Sequence, residues 1–375
     1  MREIFNFENF YYNWWKSVDK IILFLIVFLF FLGLFFSLAS TSLIASEKLN
    51  TNSYNFFIKH LFFIVISLLT IIFFSSLEKD KLFKICFVLF VISFIALIMV
   101  PIIGTEVKGS KRWLDIGPMP RFQPIEILKP FFIAVIAVLL SSNYSNKIYI
   151  KYFISSLVTI PIILLLITQP DIGQTILITL TWFSLIFVSG ISLLVLFLFC
   201  ISIIVILTYL VLVVPKFLYI KKRLISFMDP SLGNNYQSER ASDAIMSGGY
   251  FGRGIGEGKL NSKIPEAHTD YIVSVISEEF GIILVIFIML VYLFLAFKVA
   301  QKIDQENDNF IKLILTGSIT IILIQTFIHF GVNLRILPTT GMTLPFISYG
   351  GSSIVSMAIL SGIILNLTKR RVTRF

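Results

Sequence analysis

The chain has 375 residues, of which 57% are hydrophobic, 15% aromatic and only 14% charged, and its mean hydropathy is +0.92. A soluble domain carries roughly 25% charged residues, so this composition excludes a soluble globular protein, and despite a net charge of +10 no nucleic-acid partner is expected. The two cysteines, Cys86 and Cys200, both lie in apolar runs and offer neither a disulfide framework nor paired metal ligands.

Runs long enough to cross roughly 30 Å of hydrocarbon at 1.5 Å per residue predict spans over 21–44, 61–77, 85–105, 130–146 and 152–170. The first is too long for a signal-peptide core and is read as a retained helix. The uncharged run 172–215 is too long for one helix and divides at Ser189, Gly190 and Ser192. Three more spans are predicted over 271–297, 313–334 and 351–368. The expectation is an all-α polytopic membrane protein of about ten transmembrane helices. It forms a single domain over 1–375, with a large extracytoplasmic loop, 216–270, between helices 7 and 8.

An even number of spans places both termini on one side. The basic tail 369–375, with Lys369, Arg370, Arg371 and Arg374, predicts that this side is the cytoplasm, and the first twenty residues then form a cytoplasmic tail as well. A tally of all 31 Lys and Arg residues divides almost evenly between the two sides. The tie comes from two loops, 106–129 and 216–263. If they are basic for a ligand and not for topology, both face outward.

The stretch IPEAHTDYIVSVISEEFG, residues 264–281, turns from a polar basic loop into an apolar helix, and Asp270 stands at the junction. An ionisable residue at membrane depth is a functional candidate, while Thr269 or Asp270 capping the following helix is the structural alternative. In the first basic loop, Lys111, Arg112, Glu126 and Lys129 surround a span entrance beside Trp113. Arg offers phosphate a bidentate fork, but Lys, Arg and Trp at helix ends also serve as interfacial anchors.

Asp171 interrupts an apolar stretch, and pairing with a basic residue is its expected role. The glycines of SGGYFGRGIGEGK, residues 247–259, do not form a phosphate-binding loop. No Ser or Thr follows Lys259 and no strand precedes, so a flexible basic surface or re-entrant loop is expected. RILPTTGMTLPFISYGGSS, residues 335–353, breaks an apolar run with two prolines and three glycines. Irregular backbone at that depth must be buried in protein or line a wet cavity, so a cavity wall is expected, with His329 nearby.

In this order, KRWLDIG with FQPIEILKP, QPDIGQT, GGYFGRGIGEG, PEAHTDYI with EEFG, and LPTTGMTLPFISYGGSS resemble the SEDS family (shape, elongation, division and sporulation), with forms most similar to its cell-division branch. The likeness runs from about Lys108 to the last helix. It implies a ten-helix peptidoglycan glycosyltransferase in the cytoplasmic membrane, at the division septum, that polymerises lipid II at the outer face. It also implies that Asp270 is the catalytic carboxylate. Arg223, Glu266, His268, Thr269, Arg335, Ser348 and Ser352 join Lys111, Arg112, Glu126 and Lys129 as the substrate-binding set.

A cognate class B penicillin-binding protein and other division proteins are the implied partners. A divalent cation, Mg²⁺ or Mn²⁺, is the expected cofactor, with no organic one. Two positions depart from the division pattern: Thr340 stands where Lys is usual, and His329 where many relatives have Asn. The chemistry needs one base and not two carboxylates, because pyrophosphate leaves as a stable anion while an alkoxide needs a general acid. A lipid II transporter lined by Asp171, Glu126, Glu278, Glu279 and Arg335, an elongation-type polymerase and a recruiting scaffold are the alternatives.

Overall fold

Backbone N–H and C=O groups find no water in hydrocarbon, so apolar spans satisfy them internally as helices. The computed structural model describes residues 7–40, 55–107, 109–117, 120–142, 148–214, 217–229, 236–258, 260 and 264–369. Its helices are α1 (Phe7–Ser17), α2 (Lys20–Ser40), α3 (Asn55–Ser76), α4 (Lys79–Ile103), α5 (Pro124–Ser141), α6 (Ile148–Thr168), α7 (Ile172–Val188) and α8 (Leu193–Val213). There follow α9 (Leu218–Met228), α10 (Tyr236–Gly248), α11 (Ile272–Phe280), α12 (Ile282–Gln305), α13 (Asn309–Asn333) and α14 (Gly351–Leu367).

Seven of these, α2 to α6 with α12 and α13, are long and apolar enough to cross a membrane. Helices α7 and α14 are apolar at 17 residues each, and α8 is a further apolar helix of 21 residues. The chain is a multi-pass membrane protein, and the one sheet among the described residues is a short two-stranded hairpin. The division of the run 172–215 falls where hydropathy and turn residues place it, between Val188 and Leu193.

Two expected elements differ. The span predicted over 271–297 is two helices, because Gly281 between α11 and α12 adopts φ 86°, ψ 167°. That left-handed φ suits glycine alone, and a Cβ there would lie 2.1 Å from the Tyr250 carbonyl oxygen. The first basic loop contains an antiparallel hairpin, β1 (Thr105–Val107) with β2 (Ser110–Trp113), in which Glu106 faces Lys111.

Helices α5 and α13 form the centre: 72% and 67% of their spans are buried, against 22% for α3 and α6. Helix α14, buried along nearly its whole length, packs most extensively on α3 and also contacts α5 and α13. At the end that carries α1, the bundle is sealed by ordinary pairings. Trp14 Nε1 donates to Ser75 Oγ at 2.8 Å, and Lys302 Nζ meets Asp19 Oδ2 at 3.1 Å. Asn366 Nδ2 serves the carbonyls of Phe74, Ser75 and Leu77 at 2.9, 3.2 and 2.7 Å.

The opposite end holds the irregular backbone, where the stretch between α13 and α14 lies folded into the protein. Phe346, fully buried at φ 66°, packs edge-on against Phe30 at 5.2 Å, and the Tyr292 hydroxyl donates to the Pro345 carbonyl. Such backbone is tolerated at membrane depth because protein surrounds it.

Candidate functional site

The irregular backbone walls a cavity of about 870 Å³. Its lining comes from the start of α3, the hairpin and the start of α5, the segments carrying Arg223 and Asp270, and the stretch from Thr339 into the first turn of α14. All of these lie at one end of the bundle, and the stretch expected to be a cavity wall is one.

Asp270 stands on a turn that wraps the Glu266 carbonyl, which accepts the N–H groups of Thr269, Asp270 and Tyr271 at 3.1, 3.1 and 3.3 Å. The wrap forces Glu266 to φ 58°. Asn333 at the end of α13 holds the turn from below, donating Nδ2 to the Asp270 carbonyl at 3.0 Å and accepting Ser274 N–H and Oγ at Oδ1 at 3.2 and 2.9 Å. Ser348 Oγ donates to the Thr269 carbonyl at 2.7 Å and Tyr349 N–H to the His268 carbonyl at 3.0 Å.

The turn is therefore fixed by main-chain contacts, and the Asp270 carboxylate takes no part in capping. The N-cap of α11 is Tyr271, with no side-chain cap bond. The Thr269 hydroxyl bonds back to Glu266. Asp270 lines the cavity, with Oδ2 beside Gly341.

A polar chain runs from the wall into the protein. Arg112 donates to the carbonyls of Gln169, at 3.1 Å, and Pro170, and its Nη1 lies 3.8 Å from Asp171 Oδ1. Asp171 accepts Gln123 Nε2 at 2.7 Å and the Gln174 N–H that it caps at 3.4 Å. Gln174 Nε2 donates to Glu126 Oε1 at 2.5 Å, Glu126 Oε2 meets Lys129 Nζ at 2.8 Å, and Lys129 donates to Gln325 Oε1 at 2.9 Å. Gln325 donates to the Thr343 carbonyl, and Thr343 and Ser353 share a hydrogen bond at 2.7 Å. Buried charges persist when each has such partners, and this chain, several members of which line the cavity, ties α5, α7, α13 and α14 together.

The structure brings Asp270, Arg112, Arg223, Glu126, Glu266, Thr269 and Ser352 to one cavity. Arg223 is steadied by the Thr339 carbonyl at 3.4 Å. Lys111 is separated from Arg112 by strand alternation: neighbours on a strand point to opposite faces, and Lys111 is exposed and off the cavity wall. Lys129 has no exposed side-chain surface and is consumed by Glu126 and Gln325. Ser348 is buried in holding the turn, and Arg335, at φ 56°, lies off the wall.

The His268 ring stacks on Phe56 at 5.4 Å, and burial holds its imidazole below the usual histidine range. His329 is buried and donates from Nδ1 to the Met342 carbonyl, 2.8 Å away. Asp171 has the basic partner expected of it, in Arg112. Lys216, Lys259 and Lys263 lie outside the described residues.

Sequence reasoning missed Lys59, Gln123, Gln237 and Thr339 on the wall. Lys59 had a signal, a cation just before an apolar run. Gln237 and Thr339 had none, because neutral polar residues in loops are ordinary. Thr340, the departure from the division pattern, is also on the wall.

Among the described residues no three His, Cys, Asp or Glu side chains converge as metal ligands. Mg²⁺ usually needs no such cage, taking one or two carboxylates together with substrate phosphates. Asp270 and Glu266, four residues apart on one turn and both on the cavity wall, fit that manner of binding.

A family model described as cell cycle protein, covering FtsW, RodA and SpoVE, matches residues 20–373. The chain belongs to this family. It is 31% identical over 363 residues to the probable peptidoglycan glycosyltransferase FtsW of Caulobacter vibrioides, covering 96% of this chain and 91% of the relative. To the protein of the same name from Coxiella burnetii it is 32% identical, covering 88% and 90%. Two solved structures share the fold. One, described as structural coordination of polymerization and crosslinking by a peptidoglycan synthase complex, matches at TM-score 0.76 and 24% identity, covering 94% of this chain and 98% of the other. The other is the rod shape determining protein RodA of Thermus thermophilus, at TM-score 0.69 and 24% identity, covering 94% and 97%.

Proposed function

We propose that this chain is a peptidoglycan glycosyltransferase of the FtsW kind, which polymerises lipid II into glycan strands during septal wall synthesis. The observation that carries the reading is that the Asp270 carboxylate shares a cavity with the guanidinium groups of Arg112 and Arg223. The 4-hydroxyl of one lipid-linked disaccharide attacks the anomeric carbon of another. The new C–O bond forms as the bond from that carbon to the pyrophosphate oxygen breaks, with inversion, and the hydroxyl proton passes to Asp270. A general base at this position commonly supplies 10² to 10⁴ in rate.

The departing undecaprenyl pyrophosphate already carries its charge as a stable anion, and preorganised cations stabilise it further as it leaves. Arg223, Arg112, Arg121 and Lys59 are the cations on the wall. A divalent cation held by Asp270 and Glu266 would add Lewis-acid neutralisation of the pyrophosphate. The buried chain from Asp171 to Ser353 holds the walls at fixed spacing, so Lys129, with no exposed side-chain surface, acts by positioning Glu126 on the wall and not by contact.

The cavity faces the outside of the cytoplasmic membrane, with ten spans and both termini inside. A class B penicillin-binding protein supplies crosslinking alongside other division proteins; support for such a partner is the fold shared with a peptidoglycan synthase complex. The transporter reading is weaker, since Glu278 and Glu279 are buried in α11 away from the cavity, and its lining gathers at one end of the bundle. The test is gel analysis of strands made from labelled lipid II by the purified chain with its transpeptidase partner and Mg²⁺. Strand formation by the wild type and its loss in Asp270→Asn are the expected results; equal strands from both would overturn the role of Asp270.

A further inference from the structure

The glycine-rich stretch after α10 takes no part in the cavity beyond its helix, yet its backbone is tightly seated. Arg253 and Gly254 donate N–H to the carbonyls of Glu278 and Glu279 at 2.9 and 3.0 Å, and the carbonyls of Gly249 and Tyr250 accept Ile282 and Ile283 N–H at 3.0 and 3.4 Å. Gly252 is at φ 80°, and a Cβ there would lie 2.2 Å from the Glu279 carbonyl oxygen. The loop expected to be flexible is instead clamped onto α11 and the first turn of α12.

This clamped loop and the last turn of α10 present large apolar side chains outward, beside the charged Arg253 and Glu257. Met246, Tyr250, Phe251 and Ile255 are 71%, 74%, 83% and 62% exposed. Contiguous exposed apolar side chains of this size mark an interaction surface. Directly continuing it, Ile283, Ile286 and Phe287 of α12 are exposed at 49%, 49% and 46% on a membrane-crossing helix. The patch thus adjoins the exposed apolar face of a helix long and apolar enough to cross a membrane. Its composition suits the membrane–water interface, where tyrosine forms aromatic belts and arginine, here the exposed Arg253, is at home.

We propose that Tyr250 and Phe251 are bedded in phospholipid, at the boundary of headgroups and acyl chains of the leaflet at the cavity end, as a rigid wedge clamped to α11. Helix α11 begins one residue after Tyr271, which adjoins Asp270. The wedge therefore sets the depth of the Asp270 turn relative to the headgroups. Bedding of the loop is independent of the chemistry at Asp270, and the test reads no turnover.

The test places a nitroxide at Phe251→Cys in the full chain, with Cys86→Ala and Cys200→Ala, in nanodiscs of phosphatidylethanolamine and phosphatidylglycerol. Glu239→Cys, exposed on α10, serves as the control. Higher collision with oxygen than with a water-soluble nickel chelate at position 251, and the reverse at 239, is the expected result. A nickel-accessible label at 251 would place the loop in water and overturn the proposal. A label shielded from both reagents, meaning cover by protein such as a second copy, would overturn it equally. Phe251→Trp read by quenching from brominated lipids repeats the measurement without the bulky label, and absence of quenching there would likewise overturn the proposal.

Discussion

The two ends of the helix bundle are built from similar residues and do opposite things. At the α1 end, polar side chains are few and are used up in closing helix ends: Asn366 on the carbonyls that finish α3, Trp14 on Ser75, Lys302 on Asp19. At the other end the chain leaves regular structure between α13 and α14, and polar groups line a cavity of about 870 Å³ instead of sealing it. The difference lies in how backbone groups are satisfied. Where helices stop in short connections, a few side chains suffice; where the backbone is irregular at depth, it must turn inward, and the space it leaves becomes a site.

The comparison breaks first at Asp270. If the cavity end is chemical, Asp270→Asn lowers glycan polymerisation by about 10²- to 10⁴-fold with the folded fraction unchanged. Strand yield and detergent thermal unfolding, measured together, check this. Lys129→Met comes next, because it leaves Glu126 charged without its buried partner. Such a break costs about 3–5 kcal/mol, whereas the double change with Glu126→Gln is expected to regain most of that stability. If the double variant unfolds as early as the single one, the pair is not the unit that holds the cavity wall.

A smaller effect separates the two faces of cationic elements. Arg223→Gln is expected to reduce kcat/KM by about 10- to 150-fold, the equivalent of about 1.5–3 kcal/mol for a charge-assisted contact. Lys111→Gln, on the outer face of the hairpin, is expected to change the rate by about twofold or less. Steady-state kinetics with lipid II at varied concentration decides between them. At the sealed end, Asn366→Ala is expected to cost about 1–3 kcal/mol by orphaning buried carbonyls while the folded protein keeps its turnover. A large loss of rate per folded molecule in that variant would show that the two ends are coupled.

Much of the fold was legible because lipid makes hydropathy nearly a direct report of helices, as the division between α7 and α8 illustrates. The failures were local. The hairpin has too few residues to show period-2 alternation, so Lys111 and Arg112 read as a clamp when they face opposite ways. The α11–α12 break depends on Gly281, a single glycine among apolar residues, and only the approach of Tyr250 makes it necessary. Within the site, motif residues were recognisable as types. Their division into cavity wall and buried support was not.

The sequence by itself determined that this is a polytopic helical membrane protein with two basic loops, a carboxylate at a loop–helix junction and a broken stretch before the last helix. Composition and hydropathy are sums over local residues, and lipid responds to those sums. The tertiary structure decided that Asp270 and Arg223 share a cavity, that Lys129 and Ser348 serve as supports, and that the glycine-rich loop is clamped. Those outcomes depend on which distant groups satisfy one another, as Asn333 does for Asp270 and Gln325 for Lys129. Partners 63 and 196 residues apart leave no mark in the local pattern of either segment.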